Sequence, residues 1–163
     1  MSATPVIPAA APAAPAKLKR AQHWATRSLH QFLIDRATAR FAWGTHDCAL
    51  FAADGVQAMT GVDIASDFRG RYTDEAGAKA AIARITGVAN GTVEDAAAWC
   101  AAKHGLVELI HPLMAQRGDL VVLEDAGRVI AGLVHLSGRH VAAAGEQGLK
   151  KIPIAGVKRA WRV

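Results

Sequence analysis

The chain predicts an α+β fold: helices first, then a curled antiparallel sheet. Three observations predict it. From Ala21 to Lys103, apolar residues recur at steps of three and four, the period of a helix with one buried face. From Leu106 onward, short apolar runs are separated by turn residues such as Asp125-Ala126-Gly127 and Ser137-Gly138-Arg139, the rhythm of a meander. The length of 163 residues suits one domain with its own core.

Residues 1–20 read as an arm, with residues 21–163 as a single domain. The opening "MSATPVIPAAAPAAPAKLKR" is rich in alanine and proline. Proline fixes φ and removes backbone donors, so the segment favours extended geometry and has no core to join. It has no basic stretch ahead of an apolar one, so no secretory signal is expected.

A first helix is predicted over about 21–39, its stripe formed by Leu29, Phe32, Leu33 and Arg36. A second is predicted over Cys48–Met59. Gly44 permits a tight bend before it, Asp47 serves as its N-cap, and Gly61 stops it. A third spans Thr73–Thr86, with Thr73 as cap and Gly87 after its end. A fourth spans Thr92–Lys103, opened by a Thr92/Asp95 capping box. Strands are expected in "LVELI", "GDLVVLE", "RVIAGLVHL", "HVAAAGE" and "LKKIPI". Trp43 and Trp161 are expected in the core.

Composition narrows the function. Two cysteines are too few for a disulfide framework and fit a reducing compartment. No run approaches the roughly 18 apolar residues of a membrane span. The formal net charge is +5, but the cations are scattered through "KLKR", "LKK" and "KRAWR". No basic stripe is interleaved with aromatics, so solubility and an acidic neighbour are favoured over nucleic acid. No metal is expected, since no His/Cys pair has zinc-ligand spacing, and no cofactor, since no Gly-rich turn opens a helix after a strand.

The stretch "FAWGTHDCALF" (41–51) carries the chemistry worth weighing. A helix N-terminus lowers a cysteine pKa because its free N–H groups favour the thiolate, and those groups can hold an oxyanion. Cys48 at such a position is a sensible nucleophile. It is equally a small apolar residue opening a buried helix. A nucleophile also needs a base and the base an orienter. Of the seven histidines, His46 is so close in sequence that only a bent loop would let it point back at the sulfur, while His135 and His140 lie on the predicted strands.

The same stretch is similar to the nucleophile motif of NlpC-type papain-like cell-wall peptidases. "RGDLVVLE" followed by "VIAGLVHLSGR" resembles that family's Gly-Asp strand and its successor. The chain further resembles small phage and prophage tail-module proteins with a Trp-Gly-x-His-Asp-Cys stretch, a Gly-Asp strand and an ending like "KRAWRV". The likeness spans about residues 24–163 and implies a papain-like (NlpC-type) fold with Cys48 at the nucleophile's place. It also shows departures. Phe41 stands where those peptidases have a tyrosine, and Ala49 where a serine follows the cysteine. Ile130 or Ala131 takes the histidine's place, and the third polar residue falls near Ala142. His135 is the substitute base only if the enzyme is active. If Ala131 marks the lost position, His135 shares its face but lies about 13 Å along the strand.

The resemblance therefore implies a pseudoenzyme: a phage tail-tip or tail-assembly structural protein on a degenerate peptidase fold. It would be made in the host cytoplasm and reside in the virion tail. Its partners would be other tail proteins, with residues 1–20 as docking arm, and peptidoglycan. The alternative is an active cysteine peptidase or amidase that cleaves peptidoglycan during entry. A third reading is a binding module unrelated to phage.

Overall fold

A computed structural model describes residues 17–163. Most of the expected arm, residues 1–16, lies outside the described residues. The remainder of that segment packs on the domain: Leu18 lies against the main core, and Arg20 Nη2 donates to Asp119 at 2.8 Å.

The fold is α+β, as the sequence predicts, with four α-helices and a six-stranded antiparallel sheet. The expected first helix is shorter and irregular. A π-helical segment, Trp24–Leu29, runs directly into α1, His30–Asp35. Leu29, Phe32 and Leu33 are buried, so the predicted stripe does face the core.

Helix α2 spans Cys48–Thr60 and is the centre of the molecule. Eight of its residues are buried, among them Phe51, Val56 and Met59. Gly61 closes it in the left-handed region at φ 78°, its N–H donating to the Gln57 carbonyl. Helix α3, Glu75–Thr86, is capped by Asp74 rather than by the expected Thr73: the Asp74 carboxylate accepts from Gly77 N–H. A carboxylate is the stronger acceptor and carries the charge that a helix N-terminus favours. Helix α4, Val93–Lys103, opens with the complete Thr92/Asp95 capping box.

The strands are β1 (Val107–Glu108), β2 (Leu120–Asp125), β3 (Arg128–Val134), β4 (His140–Gly145), β5 (Gly148–Pro153) and β6 (Val157–Arg162). They lie in the order β1-β6-β2-β3-β4-β5. The meander expected from the sequence holds for β2 to β5. The closing strand β6 breaks it, returning between β1 and β2 with Trp161 opposite both Glu108 and Leu120. Trp161 is buried there, as expected.

The sheet is covered on both faces. On one side α2 and α4 pack on β3, and Gly55 of α2 makes the approach possible: a Cβ there would sit 2.1 Å from Leu133 Cδ1. On the other, Val121, Leu123, Val134, Val141, Val157 and Ala160 form a second apolar cluster, with Leu109 and Ile154 against it. Double coverage explains why "LVVL" in β2 is continuously apolar rather than alternating.

The Gly118-Asp119 pair that opens β2 has a structural role. Gly118 sits at φ 82°, and a Cβ would meet Met59 Sδ and Trp24, both at 2.9 Å. Asp119 is fully buried. Its carboxylate accepts from Arg20 Nη2 (2.8 Å), Val163 N (3.2 Å) and Gln116 N (2.9 Å), with Arg162 Nε at 3.0 Å. The start of the domain, its last residue and the entry to β2 thus meet on one carboxylate.

Candidate functional site

The bend before α2 is built from its glycine. Gly44 adopts φ 80°, and a Cβ there would lie 2.2 Å from the Tyr72 carbonyl oxygen. The loop carrying Tyr72 can therefore close over the start of α2. That loop is pinned by Arg69, whose guanidinium donates to Asp63 (2.8 Å) and to Asp54 on α2 (2.7 Å). The hydrogen bond from Arg69 holds the Asp63 carboxyl below its ordinary range.

Asp47 is the predicted N-cap and does more than cap. It is 1% exposed. One oxygen accepts from Leu50 N at 2.9 Å; the other accepts from Gly44 N at 3.0 Å and from the Tyr72 hydroxyl at 2.6 Å. Tyr72, the only tyrosine in the chain, was not singled out by sequence reasoning. Its one signal is that uniqueness; its partner lies 25 residues away.

Cys48 is buried at the first position of α2. The backbone amides of Ala131 on β3, of Ala49 and of Cys48 itself are the donors on the thiolate's side. These amides favour a thiolate. Burial opposes them and wins, and the Asp47 carboxylate adds to it, so the thiol is pushed up from 9.0 to about 11. At neutral pH the group is S–H, a poor nucleophile.

Around the sulfur lies a cavity of about 60 Å³, lined mainly by apolar side chains of α2, α3, α4, β2 and β3, with Trp43, Asp47 and Tyr72. That is room for a few water-sized molecules. Trp43, expected in the core, is only half-buried at its edge, packed at right angles to Phe41 with ring centroids 4.9 Å apart.

None of the seven histidines, all within the described residues, lines this cavity. Of the two positions aligned with the base, Ala131 faces the sulfur; Ile130 packs with the opposite cluster. Ala131 and Ala142 are both buried in the main core. His135 sits beyond the end of β3, where its Nδ1 accepts from Ser137 N at 3.0 Å. Burial first, then Lys151 and His140, push its pKa down. The structure does not bring it to Cys48. His46 packs edge-on against Phe51, 5.9 Å between centroids. Burial, then Arg36, lowers its pKa. His104 is the residue just after α4, and burial, then Lys103, lowers its pKa.

Cys100 also lines the cavity, and burial pushes its thiol up to about 12. Both cysteines are free. Among the described residues no group of three or more His, Cys, Asp or Glu could hold a metal ion, and no helix is long and apolar enough to cross a membrane.

The Tyr72–Asp47 bond gives a testable consequence. Burial first, then the bond to Asp47, pushes the phenol above its ordinary 10.0. The stability it supplies is present below about pH 10 and is lost as pH rises past that value, because the unfolded phenol ionises first. Tyr72→Phe should cost about 1.5–3 kcal/mol at pH 7, the worth of a hydrogen bond to a charged group. It should also flatten the alkaline fall in stability. Urea midpoints at pH 7 and pH 11 check both; an unchanged midpoint at pH 7 contradicts the assignment.

No curated protein and no solved structure matches the chain significantly. A family model described as "Domain of unknown function (DUF6950)" matches residues 19–163. Because that match runs from just before Arg20 to the last residue, and so takes in α2, the Tyr72 loop and the whole sheet, the chain belongs to the DUF6950 family.

Proposed function

We propose that this protein is a non-catalytic structural component of a phage tail tip or of its assembly. Its scaffold is a papain-like (NlpC-type) peptidase fold that has lost the means to use its cysteine. The observation that carries the reading is the surroundings of Cys48: Ala131, at a place aligned with the base, lines the same cavity as the cysteine, and no imidazole lines it. Papain-like catalysis needs a base within hydrogen-bond reach and a thiolate fraction worth using. A buried thiol at about 11 with no base has neither.

The arrangement otherwise suits the scaffold. A cysteine opens a central helix that packs on an antiparallel sheet, and the amides that would favour an oxyanion are still present. The tail assignment rests on the resemblance of the Trp-Gly-x-His-Asp-Cys stretch, the Gly-Asp strand and the "KRAWRV" ending to phage and prophage tail-module proteins. In this reading the protein is made in the host cytoplasm and ends in the virion tail, and the Ala/Pro-rich start docks on neighbouring tail proteins.

Two measurements test it. Purified cell walls incubated with the wild type and with Cys48→Ala should lose equal and negligible turbidity. Purified tails, probed with antibody in the electron microscope, should carry the protein at a fixed position. Turbidity loss by the wild type alone would establish the hydrolase; absence from tails would remove the structural role.

A further inference from the structure

The loop after α2, the last turn of α3 and the middle of α4 enclose an open cleft of about 320 Å³. It is lined by Asp67, Arg71, Arg84, Ile85 and Trp99. Trp99 is half-buried and fixed: Phe68 meets it at 84° with centroids 5.9 Å apart. Lys103 Nζ lies 5.2 Å from its ring centroid and is ion-paired to Asp67. The one carboxylate of the cleft is therefore already neutralised.

Arg71 and Arg84 are not. Among the described residues neither has a carboxylate within 4.0 Å; Arg27, Arg40, Arg117 and Arg139 are likewise without one, and what sets Arg71 and Arg84 apart is that both line one cleft. The two come from separate elements, the loop after α2 and the end of α3, and share one concave site. The two exposed guanidiniums share the cleft with Asp67, whose charge is taken up by Lys103, and solvent screens what repulsion remains between them. A guanidinium fork matches the paired oxygens of a carboxylate or phosphate. An aromatic face beside it offers a flat or ring-shaped body a place to stack.

We propose that this cleft binds a ligand bearing an oxyanion on a ring: Arg71 and Arg84 grip the oxyanion, and the ring lies against Trp99. The site is one of binding, with no nucleophile or metal cluster in it, and it is independent of the Cys48 cavity and of the tail assignment. Carboxylate and phosphate share the chemistry; the experiment separates them.

The test is a titration of the full chain with glucose 6-phosphate, glucuronate, inorganic phosphate and glucose. It is followed through the Trp99 indole N–H in nitrogen–proton NMR spectra, assigned with Trp99→Phe. Saturable shifts are expected with at least one of the two ring oxyanions, with a dissociation constant of about 1 mM or tighter, and the stronger binder names the anion. Arg71→Gln and Arg84→Gln should each weaken it about tenfold, and added salt should weaken it further. Both arginines are exposed, so the variants keep the fold. The proposal is overturned if neither ring oxyanion gives a saturable shift. It is equally overturned if glucose alone does as well, if inorganic phosphate binds as tightly as glucose 6-phosphate, or if both arginine variants bind like the wild type.

Discussion

Asp119→Ala should destabilise the domain by about 3–5 kcal/mol, the cost of removing one partner from a buried ion pair. The carboxylate is fully buried and holds Arg20, Arg162 and the backbone amides of Gln116 and Val163. Arg20 shows what is at stake. Burial lowers its pKa, and Asp119 is the largest influence opposing that. Without Asp119 a partly buried guanidinium loses its counter-charge, although it keeps the carbonyls of Arg117 (2.9 Å) and Val163 (3.0 Å) as acceptors. The backbone amides of Gln116 and Val163 lose their acceptor at the same time, at a smaller cost because both are only partly buried and water can reach them. Asp119→Asn keeps the shape and one acceptor and should cost less than alanine. Urea denaturation of the three proteins measures the order. A loss under about 1 kcal/mol for alanine, within the range of ordinary surface changes and small effects, would show that the junction is not held this way.

Asp119 also illustrates how far the sequence could be read. The Gly-Asp pair stood out as a motif, and the glycine's need for a left-handed φ and close packing is what such a pair announces. That the aspartate gathers Arg20 from one end of the chain and Val163 from the other could not be seen, because a charge pairing at a separation of 99 or 44 residues has no local signature. The start of α2 was more legible. The bend at Gly44, the cap at Asp47 and the stop at Gly61 follow from the conformational needs of a few neighbouring residues, and all three are present. Tyr72, which completes the same site, is fixed by tertiary packing and was missed. The sheet divides the same way. Hairpins β2 to β5 are set by adjacent turns, whereas β6 chooses its partners across the molecule. His135 was placed about two pleats from the position beside Cys48, and the register of β3 keeps it at the far end of that strand. The choice between Ile130 and Ala131 needed the structure, since both faces of β3 are covered and alternation gives no polarity to read.

Native Cys48 should react with iodoacetamide at pH 8 at least about 100-fold more slowly than the same cysteine in urea. The rise from 9.0 to about 11 alone removes about that factor of thiolate. Burial adds to it, because a side chain only 6% exposed must wait for an opening before the reagent arrives. The pH profile carries the sharper distinction. A cysteine with a catalytic base reaches its maximal rate near or below neutral pH, since the base keeps it ionised. Cys48 should instead keep gaining rate beyond pH 9 and approach a plateau only near its own pKa. Cys100, pushed to about 12, should lag behind it, and peptide mapping by mass spectrometry resolves the two. A plateau for Cys48 below pH 8 would mean that an imidazole reaches the sulfur in solution. The pseudoenzyme reading would then fall, while the fold, the Asp119 junction and the Arg71–Arg84 cleft would stand. If the slow, steadily rising profile is found, the amides at the head of α2 have been shown insufficient by themselves: a helix N-terminus activates a cysteine only when burial is not allowed to outweigh it.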